Sequence, residues 1–320
     1  MSFETIAGSL ARQRSYSSLF FSSESLSDKE REEITKTFAL SLHAEVSDIA
    51  SSINFKDHRP HTVPVDRNKL LYKSVDAFRY VLALLNLWEI DPKTFTEACE
   101  DKDLFLHRRH QETLRARGDR PVVIFDVDDV IAEFRASFFE FLDQKWGIKA
   151  DLNDKQYYSA AEMQAQGIDS DTAFNAFISS GGFRTLSTNR AALEAMWMCR
   201  RAGFWIQVLT ARPSANLKCF YDTHRWLSES GIPCDSVAFS PEKYLWLTGQ
   251  DFYAKNQLVC VIDDSPKHAS EFAKHGVPVI VPAKSYNSDI ECTPGISRIN
   301  FDEITGSALY EMIQAHTRSE

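Results

Sequence analysis

The sequence predicts an α/β protein: a parallel sheet with flanking helices and a small helical insertion, preceded by an all-α region. Three short apolar runs carry that prediction, because each ends in polar residues, at about positions 126, 210 and 263. Helical stretches separate them, which is the pattern of strands buried on both faces of a parallel sheet. Ahead of residue 113 the chain shows long helical runs instead.

Residues 1–24 are rich in Ser, carry Arg12 and Arg14, and lack the apolar core of a signal peptide. They read as a tail, flexible or packed on a partner. The all-α region is expected over 25–112. Ser27-Asp28 caps a first helix that runs through Arg31, Ile34, Phe38 and Leu42 to Ile49. A second runs from Asn68 to Trp88 with Phe78, Val81, Leu82 and Leu85 on its apolar side, and a third from Pro92 to about Arg109. Between the first two lies a polar loop, Ile53 to Pro60. Residues 113–120 form the linker, and Gly118 breaks the helix before the first strand. The basic cluster His107, Arg108, Arg109, Arg115, Arg117 and Arg120 is either a solvated helix face or a phosphate-recognising surface.

The α/β domain, 121–320, opens on Pro121-Val122-Val123-Ile124-Phe125-Asp126-Val127-Asp128-Asp129. Alternation along a strand projects Asp126 and Asp128 from one face, at the carboxyl edge where open α/β sheets bind ligands. Two like charges there repel unless a cation intervenes, and magnesium suits a few carboxylates with phosphate and water oxygens. A carboxylate can also attack phosphorus as a nucleophile. Asp129 reads as a turn residue in preference to a ligand. The second run, Phe204-Trp205-Ile206-Gln207-Val208-Leu209-Thr210-Ala211-Arg212, ends in a small hydroxyl, and the third, Leu258 to Ile262, ends in Asp263-Asp264. Lys243 in Ser240-Pro241-Glu242-Lys243 enters a helix from a loop and is preferred to Lys255 as the cation over this edge.

About eighty residues separate Asp128 from Thr210, far more than a crossover of about a dozen needs. A helical cap at about 134–183 fits, begun by Ala136 to Leu142, continued by Asp171 to Ser179, and rejoined to the core at a Gly181-Gly182 hinge. Phe138, Phe139, Trp146, Tyr157, Tyr158 and Phe174 are candidates either for stacking on a substrate ring or for cap packing.

In this order, acid pair, Thr, Lys and acid pair resemble the four motifs of the haloacid dehalogenase (HAD) superfamily. The resemblance implies a Rossmann-like core with a small C1-type cap and assigns roles. Asp126 would be the nucleophile, Asp128 the acid/base, Thr210 a phosphoryl hydrogen-bond donor and Lys243 the charge-neutralising ammonium. Asp126, Asp263, Asp264 and the backbone carbonyl of Asp128 would hold Mg2+. The nearest subgroup resembled is the 5′(3′)-deoxyribonucleotidases, through Gly182-Phe183-Arg184-Thr185-Leu186, Tyr221 to Leu227, and Ser285-Tyr286-Asn287 after the last strand. Ala211, Arg212, Phe138 and Tyr286 become the expected substrate contacts. Thr210-Ala211-Arg212 departs from the Thr-Ser-Pro frequent in that subgroup, so Arg212 either binds a second phosphate or a base or forms a structural salt bridge.

The helical region resembles the all-α nucleoside triphosphate pyrophosphohydrolases (the MazG and dimeric dUTPase group), whose paired acidic motifs hold magnesium. Glu45, Asp48 and Asp76 match those acids, with Asn54-Phe55-Lys56 as support, but Lys73 stands at the fourth position. A lysine among three acids pairs with them and displaces a cation. The helical region is therefore expected to have lost or weakened catalysis, and either to bind a nucleotide or, preferably, to form a homodimer.

With 43% hydrophobic residues, 25% charged and a net charge of −9, the chain is of ordinary globular composition, and broad nucleic-acid binding is disfavoured. Six scattered cysteines without CxxC spacing read as reduced thiols of a cytoplasmic protein, and no apolar run reaches membrane-span length. The expected function is Mg2+-dependent hydrolysis of a nucleoside monophosphate through an aspartyl-phosphate. The alternatives are a bifunctional hydrolase whose helical domain releases pyrophosphate and a polynucleotide 3′-phosphatase.

Overall fold

A computed structural model describes residues 3–19, 26–53, 65–157, 160–293 and 295–317. The chain forms two compact units, Met1–Glu100 and Asp101–Glu320.

The first unit contains α1 (Phe3–Ser17), α2 (Asp28–Ser51) and α3 (Arg67–Leu87). A capping box starts α2: the Ser27 hydroxyl accepts the Glu30 amide, and the Glu30 carboxylate accepts the Ser27 amide at 2.9 Å. Asp66 caps α3 by accepting the Lys69 amide at 2.9 Å. Helix α1 departs from the tail expected over 1–24. Its Ile6 and Leu10 are buried against Leu82 and Leu85, and the Leu10 carbonyl accepts the Asn86 side-chain amide at 3.1 Å. The buried positions of α1 are Ile6, Leu10, Gln13 and Ser17, a helical stripe that is half polar, which hides its periodicity. Residues 1–2 and 20–24 of the expected tail and the Asn54-Phe55-Lys56 segment lie outside the described residues.

The expected boundary at 113–120 also shifts. Helix α4 (Pro92–Leu114) runs past Arg109, and the division between units falls inside it, after Glu100. From Asp101 onward, its residues are tied into the second unit. Asp101 pairs with Arg184 and, at 2.8 Å, with Arg225, and the Phe105 ring meets Phe220 at 5.1 Å and His224 at 4.9 Å.

His224 is buried there, with no hydrogen-bond partner for Nδ1 among the described residues. Burial, with Arg108 nearby, pushes its pKa down to about 3. The unfolded chain takes up this proton near pH 6.5 and the folded chain does not. Stability is therefore expected to fall as pH drops from 6.5 towards 3, by at most about 5 kcal/mol from this group. A His224→Phe variant should lose that slope in melting temperature against pH; an unchanged slope would reject the assignment.

The second unit is built on six parallel strands: β1 (Val122–Phe125), β2 (Trp205–Thr210), β3 (Ser236–Phe239), β4 (Leu258–Ile262), β5 (Val279–Pro282) and β6 (Ile296–Ile299). Their order is β3-β2-β1-β4-β5-β6, the Rossmann-like core expected. Alternate residues of β1 feed opposite layers, Val123 and Phe125 one, Val122 and Ile124 the other. The first layer takes α8 (Arg190–Arg201) and α13 (Gly306–Ala315); the second takes α10 (Lys243–Thr248), α11 (Asp251–Ala254) and α12 (Pro266–Lys274). Helix α9 (Leu217–Glu229) links β2 to β3. The chain leaves β1 towards β2 and β3, then returns to place β4 on the other side of β1, so the topological switch lies between β1 and β4. Strand β6 follows Ser285-Tyr286-Asn287, so that loop lies between β5 and β6 and not after the last strand.

The cap inserts between β1 and β2 as α5 (Phe134–Trp146), α6 (Ala160–Ala165) and α7 (Ser170–Ser180), closed by a 3-10 turn at Gly182–Arg184. An aromatic cluster fills it: Phe134 stacks on Phe138 at 5.5 Å and on Phe183 at 5.7 Å, and Phe177 meets Phe183 edge-on at 5.2 Å. Gly181 ends α7 in the left-handed region at φ 80°. A Cβ on Gly182 would lie 2.4 Å from the Phe177 ring. The expected Gly-Gly hinge is thus a close-packed junction in which Gly182 admits a ring.

Candidate active site

The β1 and β4 ends meet at the switch point. Asp126 follows β1, its amide bonded to the Ile262 carbonyl at 2.9 Å, and Asp263-Asp264 follow β4. Carboxylate oxygens of Asp126, Asp263 and Asp264 lie within 4.8 Å of one another, and all three residues are buried. Lys243, the first residue of α10 and 1% exposed, sits 2.8 Å from Asp126 and 2.7 Å from Asp263. Lys255 is exposed and pairs with Asp251 at 3.2 Å, away from this cluster.

Burial and the neighbouring carboxylates push the Asp126 pKa up to about 6, although Lys243 pulls against them. Asp264 is pushed well above the ordinary range by burial and by Asp126 and Asp263. Asp263 moves the other way: Lys243 and His268 outweigh its burial and hold it low. The Asp126 and Asp263 carboxylates hold the Lys243 ammonium in its charged form despite its burial. One lysine does not balance this much buried negative charge. A divalent cation would, and a set of hard carboxylate oxygens suits Mg2+. The Asp128 carboxylate, which lies outside this triad, is held by Arg212 at 2.6 Å.

Asp129 adopts φ 54°, the turn conformation expected, yet its carboxylate is also used. It accepts the Arg135 amide at 2.9 Å and the Tyr286 hydroxyl at 3.1 Å. The same hydroxyl also lies within hydrogen-bond reach of Asp264, so its one proton is shared between the two carboxylates and this phenol touches the acid cluster directly. A Tyr286→Phe variant is expected to bind Mg2+ about 10- to 100-fold more weakly, the usual cost of losing an orienting partner of a metal ligand. Calorimetric titration with Mg2+ alone checks this, and unchanged affinity would show that the hydroxyl does not orient Asp264.

A cleft of about 600 Å3 opens over the cluster. Asp126, Asp128, Asp264, Ala211, Arg212 and Tyr286 line it. Thr210 is fully buried at the end of β2, its hydroxyl accepting the Arg212 amide at 3.2 Å. Phe138 does not reach the cleft: it is 0% exposed inside the cap. Its neighbour one turn earlier, Phe134, takes that place with Tyr157 and Phe174. Phe139 and Trp146 pack in the cap core, and Tyr158 lies outside the described residues. Sequence reasoning missed Lys155, Ser170, Asp171 and His268 on the cleft wall. His268 carried a readable signal, because Ser265-Pro266 announces a helix whose first turn faces the β4 edge.

Arg135 was also missed. It is 3% exposed and donates to the carbonyls of Leu152, Asp154, Gln156 and Tyr157 at 2.6–3.0 Å. Its guanidinium lies 5.2 Å from the Tyr286 ring centre. The loop carrying Lys155 and Tyr157 to the cleft is therefore gathered around one cation.

In the helical unit, Lys73 stands 3.0 Å from Glu45 and 3.0 Å from Asp48. These two acids and the lysine form an ion-pair set. Asp76 and Glu45 line a separate cavity of about 540 Å3 with Tyr16, Phe38, Arg79 and Tyr80. Among the described residues no helix is long and apolar enough to cross a membrane.

The fold and the site define an α/β protein with a buried aspartate triad and a lysine at its switch point. No family model and no curated protein matches the chain. Several solved structures resemble it at low similarity. CbbY from Rhodobacter sphaeroides in complex with phosphate is 18% identical, with 60% of this chain and 99% of that chain covered and a TM-score of 0.39. The putative HAD-hydrolase YfnB from Bacillus subtilis, bound to magnesium, is 15% identical, with coverage of 61% and 99% and a TM-score of 0.42. A HAD family hydrolase from Deinococcus radiodurans with bound phosphate and sodium is 12% identical, with coverage of 62% and 97% and a TM-score of 0.41.

Proposed function

We propose that the α/β unit hydrolyses a phosphate monoester through a phosphorylated Asp126. The observation that carries this is the buried Lys243 ammonium, 2.8 Å from Asp126 and 2.7 Å from Asp263, beside a carboxylate triad suited to a divalent cation. A nucleophile, a fixed positive charge and a metal-type donor set thus converge where an α/β sheet binds its ligand.

In this reading the Asp126 carboxylate attacks phosphorus. The bond to the leaving oxygen breaks, and that oxygen departs with the electron pair and takes a proton from Asp128. A water molecule then gives a proton to Asp128 and attacks phosphorus, which frees phosphate and restores Asp126. Lys243 offsets charge on the transferring group, and the Thr210 hydroxyl donates to one of its oxygens. Mg2+, held by Asp126, Asp263 and Asp264, would supply further charge stabilisation.

The finer reading is a nucleoside monophosphate. The cleft is wide enough for a base, and Phe134, Tyr157 and Phe174 give it aromatic walls with Lys155 and Asp171 as polar partners. For the helical unit we propose homodimerisation. No residue of helix α2 is fully buried, the buried apolar cluster of this unit holds only Ile6, Leu10, Leu82 and Leu85 among the described residues, and Leu40, Leu71, Tyr72 and Val75 are exposed. So small a core gains from a partner.

The test is phosphate release with Mg2+ from a panel of nucleoside mono-, di- and triphosphates, sugar phosphates and a 3′-phosphorylated oligonucleotide. Selective turnover of one monophosphate is expected. Turnover of sugar phosphates alone would reject the nucleotide reading and keep the phosphatase, whereas pyrophosphate release would favour the bifunctional alternative.

A further inference from the structure

Arg212 was a candidate for binding a second phosphate or a base, yet its surroundings leave it little freedom to do so. It is 3% exposed. Its Nε donates to Asp128 Oδ2 at 2.9 Å and its Nη2 to Asp128 Oδ1 at 2.6 Å, a two-pronged fork on one carboxylate. The remaining nitrogen, Nη1, donates to the Thr223 hydroxyl at 3.0 Å, and that hydroxyl is itself fixed to the Cys219 carbonyl at 2.7 Å. The guanidinium lies on the Phe183 ring at 4.1 Å, with Trp226 at 5.8 Å. Thus, besides Asp128 in the turn after β1, two elements hold its side chain: helix α9 and the cap's return segment.

A carboxylate on a turn rotates about two bonds, and its lone pairs must point at the oxygen that gains or loses the proton. A bidentate guanidinium anchored at its far side removes that freedom. We propose that Arg212 is a positioning residue, which fixes the direction of the Asp128 carboxylate from the Thr223 and Phe183 side and does not ligate substrate. This rests on the reading of Asp126 and Asp128 as a phosphoryl-transfer pair.

The test compares wild type, Arg212→Lys and Thr223→Val on phenyl phosphate and p-nitrophenyl phosphate, with thermal melts of each protein. Lysine keeps the charge but cannot form the fork. Thr223→Val keeps the arginine and removes its rear anchor. Arg212→Lys is expected to lower kcat on phenyl phosphate about 100-fold, in the range of general acid–base contributions, with KM changed by less than about two-fold. In kcat/KM, which reports the first transfer to Asp126 and not the later attack of water, the loss should be much smaller on p-nitrophenyl phosphate, whose leaving oxygen needs little proton assistance. Thr223→Val should show the same pattern more weakly, and it decides the matter if Arg212→Lys fails to fold.

A rise in KM with kcat retained would make Arg212 a substrate ligand and overturn the proposal. Equal losses in kcat/KM on both esters, or no loss, would overturn it too. Absence of Asp126-dependent phosphate release from wild type on any ester would appear before any Arg212 variant is made, and would remove the phosphoryl-transfer reading and the proposal with it.

Discussion

Asp126→Asn is expected to abolish phosphate release, by about 1,000-fold or more, while leaving the fold intact. The amide has the size of the carboxylate but cannot attack phosphorus. Stability should hold or rise in the absence of divalent cations. Burial already pushes the Asp126 pKa up to about 6, so at pH 7–8 the fold carries an ionised group it disfavours, at an upper bound of about 3 kcal/mol. Lys243 loses one partner in the variant but keeps Asp263 at 2.7 Å. Phosphate release assays and melts at pH 7.5, with and without Mg2+, check both halves. Near-normal turnover by Asp126→Asn would remove the nucleophile assignment.

Lys243→Met is expected to damage activity and stability together. The ammonium is 1% exposed and serves two buried carboxylates. Removing one partner of such a set leaves uncompensated buried charge and typically costs about 3–5 kcal/mol. The pH dependence has a definite sign. In wild type, Lys243 and His268 hold Asp263 low despite its burial, so this carboxylate's stabilisation is present at neutral pH and fades only in acid. Without the lysine, burial dominates and Asp263 joins Asp126 and Asp264 among the acids that fold better protonated. The variant's melting temperature should therefore rise more steeply than that of wild type as pH is lowered from 8 to 5. Added Mg2+ should restore part of the loss at pH 8. A variant that melts like wild type across this range would show that Lys243 is not the balancing charge.

What the sequence disclosed follows from how far each signal reaches along the chain. Strand ends β1, β2 and β4 were legible because acids or a hydroxyl interrupt short apolar runs, and the parallel topology then brings those ends to one edge. Lys243 was separable from Lys255 by local context, a loop entering a helix. Side-chain partners were not legible. Arg212 was noticed, but its fork on Asp128 joins residues 84 positions apart, and nothing local distinguishes a substrate ligand from a buried pair. Phe134 and Phe138 lie one helical turn apart on the same side of α5, so periodicity does not tell which ring meets the cleft. Helix α1 escaped because its buried stripe includes Gln13 and Ser17. Arg135 was invisible for a different reason: its acceptors in the 152–157 loop are backbone carbonyls, which every residue possesses.

That last property reaches beyond prediction. A loop fastened through main-chain oxygens keeps its course whatever side chains it displays. The cage around Arg135 therefore separates two jobs that most binding loops combine, holding a path and choosing a ligand. Lys155 and Tyr157 can be exchanged at the cleft mouth with the cage left standing, whereas replacing Arg135 would release the whole segment at once. The 152–157 loop is in this sense an interchangeable faceplate on a fixed mount, and it is the natural place to redirect the cleft towards a different ligand.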